Sequence, residues 1–183
     1  MMKKTLFTLL IPIIALSSCS LFNSKNEEEK PNDEPTKADL VINYQNIGGA
    51  EIPASWNDED TSETIRHASY TVKEQSFEVD FVGKWRISTN NKELQTKKDP
   101  VSFIRSTSEM VVKKMVIEVF SADLELYLSL DHTGEKLVGK ETTPKFADGE
   151  ALEYEVNSPN WSILAKETYK GNAINIYSIS LYF

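Results

Sequence analysis

The chain of 183 residues predicts an all-β domain, an antiparallel two-sheet β-sandwich, set behind a signal peptide and a disordered tether. Three observations carry that reading. After Asp39, apolar residues recur at alternate positions in run after run, the period of a half-buried strand. Turn-forming residues interrupt the runs at intervals of roughly 10–20 residues. No stretch repeats with the period of about 3.6 residues that marks a long amphipathic helix.

The first part of the chain is different in kind. Lys3 and Lys4 precede an apolar run from Leu6 to Leu16, which ends in Leu16-Ser17-Ser18-Cys19. The run has the length of the apolar region of a secretory signal and is short for a bilayer span. Pro12 inside it argues further against a permanent membrane helix, because proline removes a backbone donor. Leu16, Ser17 and Ser18 before Cys19 resemble the lipobox of bacterial lipoproteins. That resemblance implies a diacylglyceryl group on the Cys19 thiol, cleavage before Cys19, and a mature protein held on the outer side of a bacterial cell membrane. The expected membrane contact is therefore the lipid on Cys19. Acyl chains bind at roughly 0.8 kcal/mol per buried CH₂, and two of them anchor where one binds only marginally. Cys19 is the single cysteine, so the mature domain is expected to form no disulfide and no thiolate metal site.

Residues 19–38 read as an acidic tether. Glu27-Glu28-Glu29, Asp33 and Glu34, with Pro31 and Pro35, show no apolar periodicity and cannot bury enough surface to offset ordering entropy. The expected organisation is a signal peptide over 1–18, the lipidated cysteine and tether over 19–38, and one sandwich over 39–183. About 145 residues suffice for a single core. Loss of residues 1–18 removes Lys3 and Lys4 and no acid, leaving 18 basic against 28 acidic residues, a net charge of −10. So acidic a chain is not expected to bind nucleic acid.

The strands follow in order. Phe77, Val79 and Phe81 alternate with Glu78 and Asp80. Val111 to Phe120 is apolar on both parities apart from Lys113, Lys114 and Glu118, which predicts a central strand. Leu124, Leu126, Leu128 and Leu130 alternate with polar residues, as do Leu152, Tyr154 and Val156, and then Trp161, Ile163 and Ala165. In the last segment Ile174 and Ile176 share one parity while Ile179, Leu181 and Phe183 share the other, which predicts a bulge near Tyr177-Ser178. A short helical turn is expected near Asp58 to Thr64, capped by Asp58 or Asp60.

Several segments in this order carry a further resemblance. Ile52-Pro53-Ala54-Ser55-Trp56 matches an "I-P-x-S-Y/W" segment, and Gln95-Thr96-Lys97-Lys98 a "Q-x-K-K" strand. Lys114-Met115-Val116-Ile117-Glu118-Val119 and Ile176-Tyr177-Ser178-Ile179-Ser180-Leu181-Tyr182 resemble the later strands of the same pattern. Together they resemble a jelly-roll-type β-sandwich module of secreted and surface proteins of Gram-positive bacteria. Arg105-Ser106-Thr107 departs from the asparagine-threonine turn of that module. The resemblance implies a jelly-roll-like architecture and a surface location, and no reaction.

No catalytic residues are assigned. His67 and His132 are the only histidines, and neither a Gly-x-Ser-x-Gly nor a His-Glu-x-x-His motif is present. The strand acids alternate as solvent-facing residues do, not as a glycosidase pair. Asn57-Asp58-Glu59-Asp60 is a dense oxygen cluster but lacks a calcium-loop pattern, so no metal and no cofactor is expected. Trp56 lies in a polar loop beside that cluster, and its ring is suited to stacking on a sugar. Trp56, Asp58 and Asp60 are therefore the candidate ligand-binding residues. The expected function is a lipid-anchored, non-catalytic binding module for a glycan or a protein. An envelope-maintenance or substrate-binding lipoprotein is the alternative, and an unfamiliar hydrolase a further one.

Overall fold

A computed structural model describes residues 37–121, 123–146, 149–165, 170–171 and 173–183. The signal peptide, Cys19 and nearly all of the tether lie outside them. The strands in chain order are β1 (Leu40–Asn43), β2 (Ile65–Val72), β3 (Gln75–Val82), β4 (Trp85–Ser88), β5 (Glu93–Lys97), β6 (Phe103–Ser106) and β7 (Val112–Ser121). They continue with β8 (Leu124–Tyr127), β9 (Lys136–Leu137), β10 (Lys140–Phe146), β11 (Gly149–Ser158), β12 (Ser162–Ala165) and β13 (Ala173–Tyr182). Among the described residues there is no helix.

The strands form two antiparallel sheets, a β-sandwich. The seven-stranded sheet runs β10-β11-β7-β13-β5-β4, with β1 also paired to β13, and the six-stranded sheet runs β2-β3-β6-β12-β8-β9. Counting only β5 to β9 and β11 to β13 along the chain as strands 1 to 8, the sheets read 1-8-3-6 and 2-7-4-5. That is the two-Greek-key order of a jelly roll. The hairpin β2–β3 and strands β4 and β10 extend the sheets at their margins.

The predicted alternation places the core. Phe77, Val79 and Phe81 of β3 are buried against Trp85, and Trp161, Ile163 and Ala165 line the same interior. Phe81 and Trp85 meet edge to face at 5.1 Å, and the Trp85 indole N–H donates to Val82 O at 2.9 Å. Each such side chain contributes about 1.5–3 kcal/mol by burial. β7 is central, as predicted, lying between β11 and β13. The Val111–Phe120 run is less covered than expected, since Phe120 in β7 and Val111 just before it stay exposed. The Leu124–Leu130 run is shorter as a strand than its pattern suggests. β8 ends at Tyr127, the Leu128 N–H donates to Glu135 O at 2.8 Å, and Leu130 is exposed. The cause is the turn into β9, which uses positive φ at His132 (54°) and Gly134 (90°).

The expected bulge is present in β13, and it is one of two. Asn175 faces Ser121, Ile176 faces Val119, and Ser178 faces Glu118. β7 thus has Phe120 as an extra residue and β13 has Tyr177. The shifts cancel, so the two strands regain their register on either side.

A polar clamp closes the ends of the described domain. The Phe183 N–H donates to Asp39 Oδ2 at 2.8 Å, and Lys73 Nζ reaches Asp39 Oδ1 at 3.1 Å and Phe183 O at 2.9 Å. The Phe183 amide, then Lys73, hold the Asp39 carboxyl below its ordinary value of 3.8. A lowered folded-state pKa means that the clamp stabilises above that value and is lost as pH falls through it. Asp39→Asn is expected to cost up to about 1 kcal/mol at neutral pH, the range of a partly exposed pair. The unfolding midpoints of wild type and variant should converge below pH 3.8.

Candidate functional site

The three candidate ligand residues sit on the strap that joins β1 to β2, and each is held by a cationic side chain. Two successive turns replace the expected helical turn. The Asp60 N–H donates to Asn57 O and the Thr64 N–H to Thr61 O. Asn57 Oδ1 accepts from Glu59 N–H at 3.1 Å, and Thr61 Oγ1 accepts from Glu63 N–H at 3.2 Å. Asn57 and Thr61 therefore do the local capping that the sequence reading gave to Asp58 or Asp60. Asp58 projects outward with its side chain 99% exposed and takes Lys84 Nζ at 2.8 Å, which pulls its carboxyl below the usual range. Asp60 turns inward, is buried, and pairs with Arg66 Nη2 at 2.7 Å, while Asn57 Nδ2 donates to the same oxygen at 3.1 Å. Arg66 also donates to Glu51 O at 2.9 Å, so one guanidinium ties the strap to β2.

Trp56 lies midway along the strap. The Arg86 guanidinium lies 4.6 Å and Lys97 Nζ 5.0 Å from its ring centre. Cations over an indole face are held by its quadrupole. Beneath the ring, Arg86 Nε donates to Gln95 Oε1 at 2.6 Å and Gln95 Nε2 to Glu93 Oε2 at 2.7 Å. Trp56, Asp58 and Asp60 thus share a segment but turn to different partners, Arg86 and Lys97, Lys84, and Arg66. Among the described residues, no group of three His, Cys, Asp or Glu side chains is placed to hold a metal ion.

A recess on the outer face of the six-stranded sheet brings together groups that the sequence reading did not join. It measures about 280 Å³ and its lining includes Val101, Leu164, Glu125, Tyr127 and His132. The register sets Tyr127 opposite Ser162 and Glu125 opposite Leu164. The Tyr127 O–H donates to Glu125 Oε2 at 2.8 Å, and Lys136 Nζ holds Glu125 Oε1 at 3.0 Å. That carboxylate raises the Lys136 pKa. The His132 main-chain N–H donates to Ser162 Oγ at 3.0 Å, and its ring meets Phe103 edge to face at 5.1 Å. Its Nδ1 is buried without a hydrogen-bond partner. Alternation marks these positions as outward, but only the strand register shows that they converge.

On the same sheet, His67, Asp80 and Arg105 stand in direct cross-strand register over β2, β3 and β6. His67 Nδ1 lies 2.6 Å from Asp80 Oδ1, and Arg105 donates to Asp80 Oδ2 through Nε at 3.1 Å and Nη2 at 2.9 Å. Asp80 is buried while the His67 side chain is 81% exposed. The carboxylate orients the imidazole and is itself neutralised by Arg105.

Fold and recesses together define a two-sheet jelly-roll-like sandwich with polar-lined outer faces. No family model, no curated protein and no solved structure matches the chain.

The strap pairs differ in weight. Arg66→Met leaves the Asp60 carboxylate buried and unpaired, and is expected to cost about 3–5 kcal/mol. Asp58→Ala removes a carboxylate that is itself fully solvated, though its partner Lys84 is mostly covered, and should lower the midpoint far less. Denaturant unfolding of both variants checks this contrast.

Proposed function

We propose that the chain is a lipid-anchored, outward-facing, non-catalytic binding protein whose sandwich presents a preformed polar recess. The anchor rests on Leu16-Ser17-Ser18-Cys19 after a charged and apolar leader. The observation that carries the binding reading is the recess beside Tyr127. Tyr127 and Glu125 are joined by a hydrogen bond on β8 and the His132 main chain is tied to Ser162, beside the apolar side chains of Val101 and Leu164. Preorganised polar groups over apolar surface are what a ligand site needs. The non-catalytic reading is supported by the surroundings of the histidines. Among the described residues neither imidazole is hydrogen-bonded to a serine hydroxyl: the His67 ring bonds to Asp80, and Ser162 Oγ takes the His132 main-chain N–H, not its ring.

The test has an anchor arm and a chemistry arm. In cells fed radiolabelled palmitate, wild type should carry label and partition into detergent, while Cys19→Ser should carry none and accumulate as the uncleaved precursor. Label on Cys19→Ser would overturn the anchor. For the chemistry arm, the full chain should turn over no member of a polysaccharide and ester panel. Turnover that disappears in His67→Ala or His132→Ala would replace the binding reading with a hydrolase.

A further inference from the structure

The opposing bulges in β7 and β13 do more than correct the register. A bulge sets two neighbouring side chains on one face of its strand. In β13 these are Tyr177 and Ser178, and the residue added to β7 is Phe120. Phe120 is 43% exposed and meets Tyr177 edge to face at 6.3 Å. Two aromatic rings therefore stand together on the outer face of the seven-stranded sheet, where β7 and β13 depart from regular pairing.

Beside them lies a depression of about 570 Å³, within the range of small-molecule sites. Its floor is low because the outward residues there are short: Val41 of β1 faces Ser180 of β13, with Ser178 next to it. Glu118 accepts from Ser178 Oγ at 2.7 Å. The far wall is the turn between β4 and β5, where Asn91 and Lys92 stand and Lys92 has φ 59°. Among the described residues of the lining, Glu118 and Lys92 are the charged side chains, one of each sign. The depression thus carries no net charge, and its polar groups are hydroxyls, amides and one balanced pair of ions.

We propose that this depression is a binding site for a neutral carbohydrate chain, with Tyr177 as its aromatic wall and Phe120 packed against that ring. A pyranose has apolar C–H faces that pack on aromatic rings, and an equator of hydroxyls that both donate and accept hydrogen bonds. The wall supplies the first contact and Ser178, Ser180, Asn91 and Glu118 supply the second. Electroneutrality selects a neutral polyol over an anionic polymer, which would meet Glu118 on a chain of net charge −8. The shallow floor and open ends suit an internal stretch of a chain. The site is separate from the recess beside Tyr127. It rests on the proposed outward-facing placement only for access to polymer, so its test uses purified protein.

The experiment is affinity electrophoresis of the full-length chain in detergent, through gels containing a soluble β-glucan, a xylan, a mannan or, as the anionic probe, polygalacturonate. Wild type should be retarded by at least one neutral polymer and not by polygalacturonate. Tyr177→Ala with Phe120→Ala should weaken retardation by more than tenfold, and Ser180→Trp, which fills the floor, should do the same. Val138→Ser, at a 90% exposed position outside the depression, should leave it unchanged. Thermal unfolding of each variant confirms that the sandwich is intact. No retardation by any neutral polymer overturns the proposal, as does retardation by polygalacturonate alone or retardation that survives the double variant and Ser180→Trp. Loss in Tyr127→Ala alone would move carbohydrate binding to the other recess.

Discussion

The structure depends on the way β13 changes parity halfway along its length. Its first half pairs with β5 on one edge and its second half with β1 on that same edge, while β7 runs along the other edge throughout. A strand of strict alternation would send either Ile174 and Ile176 or Ile179 and Leu181 into water. All four are buried. One extra residue at Tyr177 reconciles the two halves, and the extra Phe120 in β7 restores the register beyond it. Keeping the second pair of large aliphatic side chains buried outweighs the ladder hydrogen bonds that two bulges disturb, at about 1.5–3 kcal/mol for each side chain.

That constraint shapes the surface as well as the core. The residues that cannot be accommodated inside are two aromatics, and they appear together outside. At the β4–β5 margin of the same sheet the opposite economy holds. Glu93 and Gln95 are buried on the outer side of β5, and their polar groups are joined to Arg86 beneath Trp56. Buried polar groups are tolerable only when they are bonded. The strap from Gly48 to Thr64 has the covering of this chain as its structural role. Ile87 N–H donates to Pro53 O at 2.8 Å, and Ala50 and Ile52 enter the core.

Local pattern carried the fold a long way. Phe77 to Phe81, Trp161 to Ala165 and the parity break at Tyr177 each state a strand face in their own residues, because side chains on a strand alternate between its two faces. The second bulge was not legible. Val119-Phe120-Ser121 contains no parity break, and its irregularity exists only relative to β13. The early end of β8 was hidden for a similar reason, since Leu128 and Leu130 continue the alternation into a turn. The candidate site was the least legible. Trp56, Asp58 and Asp60 look available in a polar segment, but Arg86, Lys97 and Arg66 reach them from strands and Lys84 from the β3–β4 turn. Cross-strand register, which sequence spacing does not contain, likewise gathers Tyr127, Glu125 and His132.

The most direct measurement of this account is the unfolding free energy of the chain after deletion of Tyr177, set beside deletion of Asn175. Without Tyr177, the residues Ile174, Ile176, Ile179 and Leu181 fall into a single alternating series, and Asn175 can pair with Phe120 in a straightened β7. The account predicts cooperative unfolding with a loss of about 1–2 kcal/mol. Deletion of Asn175 instead turns Ile174 away from the core and should cost about 2–5 kcal/mol. Equal losses for the two deletions would contradict the claim that one extra residue at Tyr177 holds both halves of β13 in the core.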